Sequence, residues 1–208
     1  MENPEVHQPH PHRRRRAHGG LPRWLELAIA ITALTTSISS IVIAIHHGKT
    51  MDKLVKANSI PYIIGGFSDI TPQGERVLSL DLLNRGVGPA QERSLRVKVD
   101  DKYVTSVEKL FAESIGAEQA AAVMQLPMAR NKVRTRFIGP GGEQLIFRFP
   151  KTPENARYWD QLEAAQPRWS LAYCYCSVFD ECWHVAGKFE EPKPIKECAR
   201  DEPNEFLP

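Results

Sequence analysis

The chain has 208 residues, with 27 Lys and Arg against 25 Asp and Glu, a net charge of +2, and four cysteines. From Gly48 onward the charges balance at 22 of each sign, so most of the chain offers no general electrostatic attraction for nucleic acid, and no nucleic-acid partner is expected. The stretch beyond the first apolar run is long enough for one domain with its own core.

Residues 1–20, MENPEVHQPHPHRRRRAHGG, contain almost nothing apolar and are expected to be disordered. Arg13, Arg14, Arg15, Arg16 and Arg23 crowd the amino side of the apolar run that follows, against Lys49, Lys53 and Lys56 beyond it. By the positive-inside rule, residues 1–23 form a basic cytoplasmic tail and the later part of the chain is exported. Arg13 to Arg16 can also attract anionic headgroups, at about 1 kcal/mol per charge near the surface, but setting the topology is the simpler role. His7, His10, His12 and His18 lie in the same flexible tail, where a dedicated metal site is not expected.

Leu27 to Ile45 reads LAIAITALTTSISSIVIAI, nineteen residues without a charge. As a helix this covers about 28 Å, close to the hydrocarbon thickness of a bilayer. A cleavable signal peptide has an apolar core of about 7–15 residues and a small-residue cleavage site after it; here His46 and His47 follow directly. Residues 24–47 are therefore expected to form an uncleaved signal anchor in the inner (cytoplasmic) membrane, the lipid bilayer being the first partner. Hydroxyls in the run, Thr32, Thr36 and Ser40 among them, can bond back to carbonyls one turn earlier. Ala28, Thr32, Thr36, Ser40 and Ala44 recur at four-residue spacing, a small-residue stripe that would let two such helices form a homodimer. An ordinary monomeric anchor is the competing expectation. Residues 48–60 are expected to continue as a juxtamembrane helical linker that Pro61 stops.

Residues 61–190 read as an exported, mainly-β domain. Tyr62 to Phe67 is a candidate first strand. Leu78, Leu80 and Leu82 alternate with polar residues, as do Leu95, Val97 and Val99, the period of half-buried strands. Asp100-Asp101 predicts a turn into Lys102–Thr105. Val107, Leu110, Phe111 and Ile115 switch to a helical period, with Glu118–Gln125 as its extension. Val133, Thr135 and Phe137 resume the alternation, Gly139 to Gly142 makes a turn, and Leu145, Phe147 and Phe149 answer on its far side. Thr152-Pro153 predicts the start of a second helix through Trp159 and Leu162. Trp169–Val178 and Cys182–Phe189 form a closing hairpin. Residues 191–208 read as a tail of little core-forming capacity, stapled by Cys198.

The segment Asn84-Arg85-Gly86-Val87-Gly88-Pro89-Ala90 resembles the N-x-G-x-x-P/A strand connection of bacterial extracytoplasmic immunoglobulin-like modules. The resemblance spans Val77 to Val104 and implies a β-sandwich-like fold, here with two inserted helices, and no activity. The outline of tail, anchor and small exported β domain looks like uncharacterised single-pass bacterial envelope proteins, which transfer no catalytic residues.

The dense cluster is Cys174-Tyr-Cys176-Ser-Val-Phe-Asp-Glu-Cys182-Trp-His184. With a five-residue loop, Cys176 faces Cys182, Tyr175 faces Trp183, Tyr173 faces Val185, Cys174 faces His184 and Trp169 faces Phe189. Only this register puts every bulky apolar side chain on one face and every cysteine on the other. Even cysteines in an exported domain favour disulfides, and the register pairs Cys176 with Cys182 and Cys174 with Cys198. Two other readings stand beside this one. Cys174, Cys176, Cys182 and His184 are four ligands that zinc or copper accepts, at uncommon spacing. A cysteine nucleophile could draw on His184 and Asp180.

No G-x-S-x-G, H-E-x-x-H, P-loop or dinucleotide fingerprint occurs, so no catalytic residue is assigned and no cofactor is expected. Arg130, Lys132, Arg134 and Arg136 form a basic run, read as a solvated strand edge or as a surface for an acidic polymer or headgroup. The expected function is a membrane-anchored extracytoplasmic interaction or scaffolding module with a protein partner in the envelope; the alternative is a metal-binding or thiol-redox protein.

Overall fold

The structure is a computed structural model that describes residues 22–131, 137–187, 190–199 and 202–207. The expected disorder of the tail, Arg13 to Arg16, the tail histidines, Val133 and Thr135, Lys132, Arg134, Arg136 and Phe189 fall outside the described residues. The chain divides into two compact units, Met1–Met51 and Asp52–Pro208.

Helix α1 (Arg23–Ala57) has 35 residues, none of them buried. Its apolar side chains point all round rather than along one stripe, and an 18-residue window reaches a mean hydropathy of 2.1. The helix is thus long and apolar enough to cross a membrane. The Thr32, Thr36 and Ser40 hydroxyls donate to the carbonyls of Ala28, Thr32 and Thr36 at 3.0, 2.9 and 2.8 Å. Those bonds occupy hydroxyl groups that would otherwise be costly in an apolar medium.

The second unit is mostly antiparallel sheet. One sheet runs in the order β1 (Ile63–Ile70), β2 (Arg76–Asn84), β7 (Glu143–Pro150), β5 (Ala129–Arg130). The other runs β10 (Lys193–Ile195), β9 (Cys182–Ala186), β8 (Trp169–Cys176), β3 (Ala90–Val99), β4 (Lys102–Val104), with β6 (Phe137–Ile138) also on β3. Leu78, Leu80 and Leu82 of β2 share one buried cluster with Leu95, Val97 and Val99 of β3. The core therefore lies between the sheets, an arrangement consistent with a β-sandwich-like fold. Helix α2 (Val107–Ile115), capped by the Ser106 hydroxyl on the Lys109 amide, inserts Phe111 edge-on to Phe147 at 5.6 Å. Trp169 donates its ring N–H to Ser114 of α2 at 2.8 Å.

Several expectations are corrected. The extension of α2 is a separate helix, α3 (Ala117–Val123). Gly116 at φ 95° breaks the ladder between them, a conformation that side chains rarely adopt. The last helix, α4 (Ala156–Ala165), begins after Asn155, not at Thr152-Pro153. The Asn155 side chain accepts from the Thr152 amide and donates to the Pro150 carbonyl, both at 2.8 Å, which folds residues 152–155 into a turn first. Among the described residues the domain thus carries three α-helices rather than two inserted ones. In β7 the register shifts between Leu80 and Asp81, whose partners are Phe147 and Leu145. Ile146 is the extra residue of this bulge, so Leu145 moves off the core face that Phe147 and Phe149 keep. In β6 it is Ile138 that is buried and Phe137 that is exposed.

The end of the chain, expected to be a tail of little core-forming capacity, is built into the domain. Lys193–Ile195 adds a strand to β9, and Phe206 is fully buried in the main core. The Phe206 amide donates to the Leu95 carbonyl at 2.8 Å and the Leu207 amide to Thr105 at 2.9 Å. One aromatic side chain and a few backbone bonds make this segment part of the domain.

Candidate functional site

Two places in the second unit bring unusual chemistry together. The first is a groove of about 700 Å³ along β1. Among the described residues β1 pairs with β2 alone, so its other edge is open. Tyr173 of β8 closes part of it: its hydroxyl donates to the Ile63 carbonyl and accepts from the Gly65 amide, both at 3.1 Å. Those two bonds show which way the strand alternates, with the polar backbone groups of Ile63 and Gly65 pointing away from β2. Burial raises the Tyr173 hydroxyl above the usual phenol range, and the Gly65 amide partly offsets this; the group is a neutral hydrogen-bonding peg.

Trp169, Leu171 and Val185 supply an apolar floor, and Phe67 of β1 packs edge-on against Trp169 at 5.2 Å. The rim carries Asp69, Asp81, Glu190 and Glu191, with no basic residue among the described lining. Asp81 lies opposite Gly66 on β2. Burial pushes its carboxyl above the ordinary carboxylate range; the Ser79 hydroxyl at 3.1 Å and Arg148 counteract this, while Glu143 adds to it. The native state therefore holds this proton more tightly than the unfolded chain does. Its contribution to stability is lost as pH rises from about 4 through the elevated folded value. Asp81→Asn is expected to be more stable than the parent at pH 7. The gain should vanish as the pH falls below about 4, which urea titrations at both pH values measure.

The second place is the far face of β8. Cys174 is bonded to Cys198 (S–S 2.03 Å) and Cys176 to Cys182 (S–S 2.07 Å). The hairpin register is Cys176 opposite Cys182, Tyr175 opposite Trp183, Tyr173 opposite Val185 and Cys174 opposite His184. The loop is closed by the Ser177 amide on the Glu181 carbonyl at 2.8 Å, with Asp180 at φ 58°. This face is covered, and the four cysteines form a second buried cluster. The two disulfides lie against each other, with Cys176 Sγ 3.6 Å from Cys198 Sγ.

The structure thus regroups the sequence-derived metal set. Cys176, Cys182 and Cys198 have sulfurs within 4.8 Å of one another; Cys174 and His184 stand outside that trio. All four sulfurs are in S–S bonds, and a disulfide sulfur is not the thiolate that ligation or nucleophilic attack requires. His184 has a buried ring nitrogen, Nε2, without a hydrogen-bond partner among the described residues. Burial and then the charge of Arg96 lower its pKa. Asp180 pairs instead with Arg93 at 3.3 Å, so the alternative Cys–His–Asp arrangement is not assembled. Of the basic run only Arg130 is described, in the two-residue edge strand β5.

Sequence reasoning did not find the groove. Its residues read there as a strand and as core, although Gly65-Gly66 inside a strand pattern is a signal that another backbone approaches closely. Comparison of the chain with protein-family models, curated proteins and solved structures returns no match.

Proposed function

We propose that this protein is a membrane-anchored interaction module of the cell envelope, with α1 as signal anchor and the disulfide-bonded β domain on the extracytoplasmic side. The observation that carries this reading is α1: 35 residues, apolar all round, with no buried position. A helix of that kind needs an apolar surrounding, and lipid supplies it. The disulfides fit an oxidising compartment, and the N-x-G-x-G-P-A resemblance points the same way. The groove, not a catalytic constellation, is the surface on which the module acts. Its partners are the bilayer and an envelope protein.

An export-dependent phosphatase fused after Pro208 is expected to be active, and the same reporter fused after Gly20 inactive. The opposite pattern would overturn the topology and with it the disulfide argument. A thiol-redox role is the second reading, favoured by the 3.6 Å approach of the two disulfides. Thiol counting on the denatured, unreduced protein separates them: free thiols in the protein as isolated from cells support the redox role, and none supports the module.

A further inference from the structure

We propose that the open edge of β1 takes up an extended, basic peptide segment as an added strand, which deepens the interaction reading above by naming the partner's chemistry. Tyr173 satisfies the Ile63 carbonyl and the Gly65 amide on the side away from β2. By the alternation of an antiparallel strand, the Gly65 carbonyl and the Phe67 amide point the same way. A strand laid beside β1 would pair with these groups, and main-chain bonds of this kind supply affinity without demanding a particular sequence.

Gly66 keeps the strand bare. A Cβ placed there meets nothing within 4 Å, and its φ is not in the left-handed region, so neither packing nor turn geometry requires glycine. Other edge strands are blunted by lysine, proline or a cover; this one carries Gly-Gly, and among the described residues it is covered where Tyr173 reaches it.

The charge of the occupant follows from the rim. Asp69 and Glu191 take part in no ion pair among the described residues, and Glu190 has only Lys193 at 3.1 Å. Asp69, Glu190 and Glu191 beside an apolar floor suit a strand whose side chains alternate between apolar and basic. The apolar set faces Trp169, Leu171 and Val185, and the basic set meets the rim. An acidic segment would be repelled by the same groups.

The test uses the full chain in lipid nanodiscs and three probes: acetyl-KVKVKVK-amide, its acidic counterpart acetyl-EVEVEVE-amide, and the basic peptide N-methylated at alternate residues. The basic peptide is expected to bind and to slow hydrogen exchange at the Phe67 amide. N-methylation keeps the charge but removes the main-chain donors, and should weaken binding by about tenfold or more. The double variant Asp69→Lys/Glu191→Lys should weaken it similarly, and the acidic peptide should not bind. Equal binding of the N-methylated or the acidic peptide, or no protection at Phe67, would overturn the strand-addition proposal. If none of the peptides binds while crosslinking in cells still joins the domain to an envelope neighbour, the groove assignment fails and the interaction module stands. Should crosslinking and the topology reporters also fail, the broader reading falls with it.

Discussion

Asn84→Ala is expected to lower folding stability by about 3–5 kcal/mol. Asn84 is fully buried and spends its amide on three segments at once. Its Oδ1 accepts from the Tyr62 and Gly86 amides at 3.3 and 3.0 Å. Its Nδ2 donates to the Gly88 and Ile138 carbonyls at 2.8 and 2.9 Å. Removing the amide leaves the Gly88 and Ile138 carbonyls, both in buried bonds, without partners at about 1–3 kcal/mol each, and takes a partner from the part-buried Tyr62 and Gly86 amides as well.

Gly86 and Gly88 complete the clamp. The Val87 and Gly88 amides both donate to the Ile60 carbonyl, at 3.1 and 3.2 Å, and Arg85 donates to Tyr62 at 2.7 Å. A Cβ on Gly88 would fall 2.0 Å from the Ser59 carbonyl oxygen. The obstacle is backbone, so no rotamer relieves it. Gly88→Ala should therefore release residues 59–62 from the Arg85–Gly88 connection, as Asn84→Ala does. Urea unfolding gives the loss, and hydrogen exchange at Tyr62 and Val87 reports the release. Wild-type protection in Asn84→Ala would show that this clamp is not what holds the segment.

Cys198→Ser is expected to cost about 3 kcal/mol, a fall in Tm of roughly 6–12 °C for a domain of this size. The bond it removes, Cys174–Cys198, closes a sequence separation of 24 residues, for which the loop-entropy estimate is about 3–3.5 kcal/mol. Phe206 and β10 still hold the end of the chain, so the variant should fold and leave Cys174 as its single thiol. Cys174→Ser should behave differently. It frees Cys198, whose Sγ lies 3.6 Å from that of Cys176. The Cys198 thiolate can attack Cys176 and expel Cys182 as the leaving thiolate, so non-reducing peptide mapping should find a Cys176–Cys198 bond beside the original Cys176–Cys182. An intact Cys176–Cys182 bond in both variants, with Tm unchanged, would contradict both the stapling role and the contact between the two disulfides.

What the sequence determined by itself is local. The run Leu27 to Ile45 dictates an apolar helix because nothing in it is charged. The alternation of Leu78, Leu80 and Leu82, and of Leu95, Val97 and Val99, dictates strands whose one face is core, because a period of two sorts side chains cleanly. In the Trp169–His184 hairpin the five-residue loop and the split between bulky residues and cysteines admit one register. The cysteine pairing in the structure is the one that register dictates. The tertiary structure decided what depends on partners distant in the chain. The bulge at Ile146 exists because β7 must match β2 on both sides of Asp81. Phe206 is held in the core while Leu95 and Thr105 accept the backbone amides of Phe206 and Leu207, which no periodicity in a proline-rich segment announces. The groove arises in the same way. Whether Ile63–Ile70 is an edge strand or a central one is settled by strand order, a long-range pairing that local side-chain pattern does not encode.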